Sequence, residues 1–257
     1  AQRKAAWSDV ARRIAHEIKN PLTPIQLAAE RLRRRYGKLI PANDQAFDTC
    51  IDTIIRQVGD IGGMVDEFSS FARMPTPKMG QGDLVSVVRQ TVFLQQQATS
   101  NIRIQLLESP SRIEMVFDRT QIAQALTNVI KNAVESVSQA MLGVADSDSV
   151  PADRNVITVE IQEDSQSCSL HIRDQGLGLP DLARERLTEP YVTQREGGTG
   201  LGLAIVKKIM EDHDGTLRLA DNTPCGAYVT LVLSKSLSEP LDASDATLGA
   251  VRASQNL

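Results

Sequence analysis

Residues 174–178 have the sequence Asp-Gln-Gly-Leu-Gly, and residues 198–203 have the sequence Gly-Thr-Gly-Leu-Gly-Leu. The first segment ends an alternating stretch, Ser169 to Asp174, which predicts a strand. The second opens an apolar stretch, Leu201 to about Asp212, which predicts a helix. Glycines let a backbone approach a ligand closely, and amide groups at the start of a helix attract phosphate oxygens. The two segments therefore predict an α/β domain that binds a ligand bearing phosphate.

The second glycine segment matches neither of the common phosphate-binding motifs. No Gly-Lys-Ser or Gly-Lys-Thr follows it, which excludes a Walker loop, and its glycine spacing and strand context differ from a dinucleotide-binding fingerprint. A flexible loop before a helix is the alternative for residues 197–202. An ordinary turn is the alternative for Asp174 and the glycines after it.

Periodic stretches on both sides of these segments complete the predicted domain. Asp83 is the expected N-cap of a helix that continues to Gln97, and Asp118 is the expected N-cap of a helix that continues to about Ala140. Further strands are predicted at Ile102–Glu108, Ile113–Phe117, Val156–Gln162, Thr216–Leu219 and Ala227–Leu233. Small and polar residues prevail in the last part of the chain, so residues 237–257 are expected to form a disordered tail.

One side of the helix after Asp118 carries polar residues among apolar ones. Asn128, Lys131, Asn132 and Glu135 share this side because they are three or four residues apart. Amide and carboxylate oxygens are ligands that Mg²⁺ accepts. The pattern predicts a metal-binding face, with an ordinary solvated helical face as the alternative.

The N-terminal part of the chain predicts a helical hairpin. Apolar residues recur there at alternating spacings of three and four, which is the heptad pattern of bundled helices. One series is Trp7, Ala11, Ile14, Ile18, Pro21, Ile25, Ala28 and Leu32, and the other is Phe47, Ile51, Ile54, Val58, Ile61, Val65, Phe68 and Ala72. A turn at residues 37–43 separates the helices, with Asn43 as a cap, and residues 75–82 form a linker. Two helices cannot bury both series, so we expect a dimer that forms a four-helix bundle.

His16 lies between two positions of the first apolar series, Ile14 and Ile18, so its ring is expected to project from the bundle surface. Glu17 can hydrogen-bond one imidazole nitrogen and leave the other free as a nucleophile. Asn20 lies one helical turn further along the same face. A histidine taken alone is most often an ordinary surface residue, but these neighbours favour a catalytic one.

The same segment begins like a zinc metalloprotease motif, in which a second histidine follows four residues after the first. Asn20 occupies that position here, which excludes the motif. Pro21 lacks a backbone N–H, so we expect the helix to bend just after His16.

Composition limits the class of protein. The chain has 257 residues, 41% apolar and 4% aromatic, which predicts one large domain or two modest ones with aliphatic cores. A net charge of −4 gives no general attraction to nucleic acid or membranes, and the basic run from Arg31 to Lys38 is interpreted as a solvated helix end. Three cysteines without paired spacing fit a reducing cytoplasm. No apolar run approaches the roughly 20 residues that cross a bilayer. Because the chain begins at Ala1, we expect a fragment whose membrane segments lie upstream.

Four segments together resemble the motifs of bacterial sensor histidine kinases, in the order found in that family. His16–Pro21 resembles the phosphoacceptor box, Asn128–Ala133 the N box, Asp174–Gly178 the first glycine box and Gly198–Leu203 the second. The resemblance covers residues 1 to about 233. Within the family, residues 14–26 (Ile-Ala-His-Glu-Ile-Lys-Asn-Pro-Leu-Thr-Pro-Ile-Gln) look like the nitrogen-regulation sensor kinases of the NtrY type.

The resemblance implies a dimerisation and histidine-phosphotransfer domain over residues 1–74. An ATP-binding domain of the type shared by gyrase, Hsp90, histidine kinases and MutL would follow over residues 83–236. The implied partners are a second copy of the chain and the receiver domain of a response regulator, of the NtrX type. The full-length protein would be anchored in the inner membrane, with this part in the cytoplasm.

The resemblance also implies the ligands of ATP and Mg²⁺. Asp174, with Gly176 and Gly178, would bind adenine, and Asn132 would bind Mg²⁺ with help from Asn128. The second glycine box would line the phosphates with Gly198, Thr199, Gly200, Leu201, Gly202 and Leu203.

Two positions depart from the family pattern. Many relatives carry Lys three residues after the Mg²⁺-binding asparagine, where this chain has Glu135, and it stays open whether Lys131 supplies that charge. A mobile lid is implied at about residues 181–197, with Tyr191 and Arg195 as nucleotide contacts. Relatives carry Phe early in this lid, where this chain has Leu-Thr-Glu-Pro-Tyr at residues 187–191.

The implied mechanism has three steps. ATP binds with Mg²⁺, a ring nitrogen of His16 attacks the γ-phosphate, and the phosphohistidine transfers its group to an aspartate of the regulator. Asn20 would orient water for dephosphorylation of that regulator. Two other functions remain open, a dimeric scaffold biased towards phosphatase activity and an ATPase of the gyrase group. The intact His16, Asn132 and Asp174 disfavour the scaffold, and the hairpin that bears His16 disfavours the ATPase.

Overall fold

The computed structural model describes residues 2–40, 45–72, 74–108, 110–142, 155–193 and 198–235. The chain divides into two compact units. One consists of Ala1–Thr76 and Pro180–Lys207, and the other of Pro77–Leu179 and Lys208–Leu257. The predicted domain boundaries stay predictions, and the predicted tail at residues 237–257 lies outside the described residues.

The N-terminal hairpin consists of helices α1 (Gln2–Tyr36) and α2 (Ala46–Ala72), as the heptad pattern predicts. Helix α1 continues through Pro21 and Pro24, so the prolines do not end it. It ends at Gly37, whose N–H donates to the Arg33 carbonyl at 2.9 Å. A Cβ on Gly37 would lie 2.6 Å from that oxygen, which explains the glycine. The expected cap Asn43 lies outside the described residues.

The packing of α1 on α2 within one chain buries only part of the predicted apolar series. The side chains buried between the helices are Ala15, Ala29, Ile51, Val58 and Val65. On α2 these are every second member of the predicted series, whereas on α1 the buried alanines lie one residue after the predicted Ile14 and Ala28. Small side chains at this seam let two helices approach closely. Six large apolar side chains of the predicted series are instead 38–46% exposed in the single chain: Ile14, Ile18, Ile25, Leu32, Ile54 and Ile61.

The predicted α/β architecture is confirmed. A five-stranded sheet has the order β2-β4-β5-β7-β6, in which β2 and β4 are parallel and the other neighbours are antiparallel. Its strands are β2 (Arg103–Leu106), β4 (Val156–Glu163), β5 (Ser167–Arg173), β6 (Thr216–Asp221) and β7 (Ala227–Ser234). Helices α3 (Leu84–Ala98) and α4 (Arg119–Leu142) contact this sheet and each other, and α5 covers Gly202–Asp212. Alternate residues of the strands, such as Ile157, Leu170 and Leu231, point into the core and are buried.

A two-stranded sheet, β1 (Gly80–Asp83) with β3 (Glu114–Phe117), precedes this core. The sequence predicts β3 but not β1, because it predicts a linker over residues 75–82. Gly-Gln-Gly has no apolar alternation, and its strand conformation comes from antiparallel pairing with β3. The predicted cap Asp83 accepts hydrogen bonds from the Val85 and Ile113 N–H groups, both at 3.1 Å, and so joins α3 to β3.

Helix α4 is fixed at its start by the second predicted cap. Asp118 Oδ1 accepts from the Thr120 N–H at 2.9 Å and from the Gln121 N–H at 3.1 Å, and Oδ2 accepts from the Lys78 N–H at 2.7 Å. The Asp118 N–H donates to Nε2 of the buried His213 at 3.0 Å.

Within the described part of the chain, every helix is too short or too polar to cross a membrane.

Candidate functional site

Asp174 follows β5 and is 4% exposed. Its Oδ1 accepts hydrogen bonds from the Gly176 N–H at 2.9 Å and the Ala227 N–H at 3.2 Å. Its own N–H donates to the Ala227 carbonyl at 3.0 Å, and its carbonyl accepts from Asn222 Nδ2 at 2.8 Å. A carboxylate held by several bonds from different segments has a fixed direction, as recognition of a base edge requires.

The glycines near Asp174 are needed because other segments lie too close for a side chain. A Cβ on Gly176 would lie 2.3 Å from Ser136 Oγ and 2.7 Å from the Val137 nitrogen, so the turn lies directly on the backbone of α4. A Cβ on Gly226 would lie 2.0 Å from the Asp174 carbonyl oxygen. Gly178 has φ +82, a conformation that favours glycine. The conformation of the predicted motif thus depends on α4 and on the loop before β7.

The predicted metal-binding face of α4 stays a prediction, and its residues differ in burial. Asn128 and Asn132 are half-buried, whereas Lys131 and Glu135 are exposed. The Asn128 Nδ2 atom is buried without a hydrogen-bond partner among the described residues. A buried amide in this state is unusual, because an unmade hydrogen bond costs about 1–3 kcal/mol. A ligand that accepts a hydrogen bond, such as a phosphate oxygen, would satisfy it.

Asn128 and Asn132 have side chains of the kind that could hold Mg²⁺ together with ATP. No group of three or more His, Cys, Asp or Glu side chains that could hold a metal occurs among the residues the structure describes. Mg²⁺ does not need such a group, since it is commonly held by one or two protein oxygens together with substrate phosphates. The amide oxygens of Asn128 and Asn132 are ligands of this kind, four residues apart on one helical face.

The second glycine motif belongs to the first compact unit, whereas Asp174 belongs to the second. Gly200 has φ +67, and a Cβ there would lie 2.7 Å from the Tyr191 carbonyl carbon. The Gly200 carbonyl accepts from the Tyr191 N–H at 3.1 Å. Gly198 and Gly200 are half-buried, while the Tyr191 side chain is exposed. The close contact fixes the glycine segment against residues 191–192, and the predicted contact Arg195 lies outside the described residues.

The motif continues directly into α5. Thr199 Oγ1 accepts from the Leu201 N–H at 3.2 Å, just before the helix begins at Gly202. The same hydroxyl donates to the carboxylate of Glu67 on α2. Leu201 is buried, and Leu203 is half-buried in the first helical turn. The apolar side chains hold the helix start in place, and its first amide groups provide a partial positive charge for a phosphate.

His16 is exposed on α1, as its position between Ile14 and Ile18 predicts, and Glu17 and Asn20 are exposed beside it. The other two histidines of the chain are buried. His213 is 1% exposed and both ring nitrogens are hydrogen-bonded, to the Asp118 N–H and to the Ile209 carbonyl. Burial lowers the pKa of His171, which contacts Tyr228. His16 is therefore the histidine whose ring a reactant in solution can reach.

Sequence reasoning missed the residues that hold Asp174 in place. Ser136 could have been found, because it continues the four-residue spacing of Asn128 and Asn132 along α4. Asn222 and Ala227 could not, since they are 48 and 53 residues from Asp174 along the chain and reach it only through the pairing of β5 with β7.

Two family descriptions match the chain. Residues 6–77 match the His Kinase A (phospho-acceptor) domain, and residues 117–237 match the histidine kinase-, DNA gyrase B- and HSP90-like ATPase. The chain is 50% identical over 250 residues to the nitrogen regulation protein NtrY of Azorhizobium caulinodans, covering 95% of this chain and 31% of that protein. It is 38% identical over 231 residues to the NtrY-like sensor histidine kinase named in Rickettsia bellii, covering 90% and 36%. The chain thus spans about a third of the length of these relatives.

Solved structures show the same fold. Full-length ShkA in complex with AMPPNP matches with a TM-score of 0.64 at 19% identity, covering 91% of this chain and 47% of that one. The histidine kinase ThkA in complex with the response regulator TrrA matches with a TM-score of 0.60 at 20% identity, covering 91% and 63%. At these identities the likeness establishes the fold alone.

Proposed function

This chain belongs to the sensor histidine kinase family, and on that premise we propose that it transfers the γ-phosphoryl group of ATP to His16 and then to an aspartate of a response regulator. One observation carries this proposal. Of three histidines, only His16 is exposed, and it lies in the segment that matches the phospho-acceptor domain. A nucleophile must reach its phosphorus atom, which the buried His171 and His213 cannot do.

Asp174 is proposed to recognise adenine by accepting a hydrogen bond from its amino group. The carboxylate is buried and its direction is fixed by bonds from Gly176 and Ala227. Gly176 and Gly178 belong to the same turn, and their missing side chains let it pack on α4 and on the loop before β7. A buried charged acceptor distinguishes an amino group from a carbonyl oxygen, so the site would prefer adenine to guanine.

The N-box asparagines and the second glycine motif are proposed to bind the phosphates. Asn132, with Asn128, would hold Mg²⁺ through amide oxygens, and the unpartnered Nδ2 of Asn128 would donate to a phosphate oxygen. When bound, Mg²⁺ supplies positive charge that neutralises the phosphate oxygens. Amide groups between Gly198 and Leu203 would add hydrogen bonds, while Tyr191, Arg195 and the exposed Lys131 are proposed as further contacts.

His16 and Glu17 are proposed to carry out the transfer itself. A ring nitrogen of His16 forms a bond to the γ-phosphorus with its lone pair, the bond from that phosphorus to the bridging oxygen breaks, and ADP leaves with the electron pair. Glu17 hydrogen-bonds the other ring nitrogen and accepts its proton, which leaves a neutral phosphoimidazole. In the next step a carboxylate oxygen of the regulator attacks the same phosphorus, the bond from phosphorus to the His16 nitrogen breaks with its electron pair going to that nitrogen, and the other ring nitrogen takes back the proton from Glu17, so that His16 leaves as neutral imidazole.

A homodimer is proposed because the hairpin leaves six large apolar side chains of the predicted series 38–46% exposed. A second copy packed on the exposed isoleucines of α1 and α2 would complete a four-helix bundle, in line with the match to the His Kinase A domain. The response regulator partner is supported by the family and by the complex of ThkA with TrrA. An NtrX-type regulator and a role in nitrogen regulation are proposed from the 50% identity to NtrY. The domain is proposed to work in the cytoplasm, where ATP and the regulator are found, with a membrane anchor elsewhere in the protein.

Incubation with γ-labelled ATP tests the proposed activity. The wild-type chain is expected to gain label that acid removes and alkali does not, as phosphohistidine chemistry requires. His16→Gln is expected to abolish this label while calorimetry shows unchanged ATP binding. Arg31→Gln, a change of another exposed side chain on α1, serves as the matched control and is expected to keep the label. Label that survives in His16→Gln would refute the assignment, and ATP hydrolysis without any label would favour an ATPase.

A further inference from the structure

We propose that Ser136 is a positioning residue for adenine recognition, because its hydroxyl holds the turn that carries Asp174 against helix α4. The inference rests on the proposed nucleotide site and adds a residue to it. Ser136 would not contact the nucleotide itself. It would act through the backbone of residues 174–177.

The contact is specific and buried. Ser136 is 3% exposed, and its Oγ accepts a hydrogen bond from the Leu177 N–H at 3.0 Å. The neighbouring Gly176 lies so close to α4 that a Cβ there would be 2.6 Å from the Ser136 carbonyl carbon. The turn therefore meets the helix at one place, and the serine hydroxyl is the hydrogen-bond acceptor there.

Two successive amide groups of the turn have different partners. The Gly176 N–H donates to Asp174 Oδ1 at 2.9 Å and orients the carboxylate, while the Leu177 N–H donates to Ser136 and fixes the turn to α4. Without the hydroxyl oxygen, the Leu177 N–H loses its acceptor, and the adjacent peptide that carries the Gly176 N–H loses one of the contacts that hold its orientation. The hydrogen bond from Gly176 to the carboxylate would then weaken.

The position of Ser136 on α4 gives this contact a functional consequence. Ser136 is four residues after Asn132 and eight after Asn128, so the three lie on one face of the helix. The hydrogen bond to Leu177 thus links the face proposed to hold phosphate and Mg²⁺ with the turn proposed to hold adenine. A fixed spacing between these two groups lowers the cost of binding a nucleotide that uses both.

The nearby Ser138 provides a matched control. Its Oγ donates to the Val134 carbonyl at 2.8 Å within the same helix, and no hydrogen bond is described from it to the Asp174 turn. Ser136→Ala and Ser138→Ala each remove one hydroxyl from α4. Only the first removes the acceptor of the Leu177 N–H.

The test compares binding of ATP and GTP, each with Mg²⁺, to wild type and both variants by calorimetry or displacement. Ser136→Ala is expected to bind ATP about tenfold more weakly. GTP, which has an oxygen where adenine has its amino group, is expected to lose much less, so the preference for ATP falls. Ser138→Ala is expected to match wild type for both nucleotides.

Several results would overturn the inference. Unchanged ATP affinity in Ser136→Ala would do so, and so would equal losses for ATP and GTP, which indicate a merely structural role. Should Ser136→Ala not fold, amide exchange in the wild type decides, since the Leu177 N–H must exchange slowly without nucleotide and rapid exchange contradicts the contact. Failure of the wild type to bind ATP would instead refute the proposed function, so the two failures are distinguishable.

Discussion

The helical hairpin and the α/β core use the same aliphatic residues with opposite results. In the core, Leu84, Ile122, Leu126 and Ile130 are completely buried within one chain. In the hairpin, isoleucines of equal size remain about 40% exposed, and alanines fill much of the seam on α1. The core is thus buried within one chain, while the large exposed side chains of the hairpin support the proposed packing of a second copy.

The proposed functional residues follow the same division. Asp174 and Asn128 present buried polar atoms at fixed positions, as recognition of a nucleotide requires. His16, Glu17 and Asn20 are exposed on a helix, as reaction with a second domain and with a partner requires.

The largest effect is expected from a change at an exposed isoleucine of the hairpin. Ile54→Lys puts a charge where the second copy is expected to pack, in both chains of the dimer. Burial of one isoleucine contributes about 1.5–3 kcal/mol, so the dissociation constant of the dimer is expected to rise by about a hundredfold or more. Light scattering over a dilution series measures the change. Arg56→Ala, at an exposed position two residues further on and so on the opposite side of α2, should leave the dimer intact. A wild-type chain that stays monomeric at micromolar concentration would show that the exposed isoleucines do not pack on a second copy.

The core is expected to respond to a change that barely alters its shape. Asp174→Asn keeps the size of the side chain but removes its charge and one acceptor. Loss of a charged hydrogen bond costs about 1.5–3 kcal/mol, so ATP affinity should fall ten- to a hundredfold while the dimer persists. Calorimetry with ATP and Mg²⁺ measures this. The exposed Asp214→Asn, away from the proposed site residues, is the control and should bind as wild type does. Equal affinity in Asp174→Asn would remove this carboxylate from the site.

Asn20 is expected to act in dephosphorylation of the regulator and not in phosphorylation of His16. Its amide neither donates nor accepts a proton in the manner of a base near neutral pH, so it cannot replace Glu17, but it can orient a water molecule. Asn20→Ala is expected to slow dephosphorylation of the regulator on the order of tenfold through misplaced water, with His16 labelling largely unchanged. The decay of phospho-regulator in the presence of the protein is the measurement, and Arg34→Gln on the same helix is the control. Equal loss of both activities in a folded variant would assign Asn20 a structural role before Pro21.

The smallest effect is expected at the helix cap of the core. Burial works to raise the pKa of the Asp118 carboxyl, but hydrogen bonds from the Lys78, Gln121 and Thr120 N–H groups outweigh it and lower the pKa below its ordinary value. A lowered folded-state pKa means that the stabilisation is complete above the unfolded-state pKa and is lost as the pH falls through the folded-state value.

Asp118→Ala is therefore expected to lower the free energy of unfolding by about 1 kcal/mol at neutral pH, and by less as the pH falls below about 4. Urea unfolding at several pH values measures the difference. The exposed side chain of Thr120, replaced by alanine, provides the control. A difference that grows towards low pH would contradict the assigned direction of the pKa shift.

Most of the fold could be predicted from sequence because each signal is local. Asp83 and Asp118 mark helix starts through side-chain hydrogen bonds to residues two or three positions away, and alternation marks the central strands. The heptad pattern predicts a hairpin but not which residues face the partner helix. The pattern places Ile14 in the apolar series, but in the single chain Ile14 is 40% exposed and the neighbouring Ala15 is buried between the helices.

The candidate site was predictable only in part, for a different reason. Asp174 and the asparagines of α4 stand in recognisable motifs, but their fixed positions come from distant segments. Gly226 gives no local signal, yet it is required by the Asp174 carbonyl, which β7 places next to it. Strand β1 gives no signal either, because pairing with β3 creates it. Contacts between residues far apart in the chain carry no spacing that a sequence pattern can show.

The hydrogen bond from Ala227 to Asp174 joins two segments that are synthesised at different times. The ribosome makes the hairpin before the α/β core, and it makes β7 after every other described strand. A chain released before residue 227 would keep α1, α2 and His16 but lack the strand that orients the Asp174 carboxylate. Under the proposed dimer, such a product is expected to pair with an intact chain while supplying none of the proposed kinase activity. Nonsense mutations in this part of the gene are then expected to be dominant, because each truncated product would occupy an intact chain.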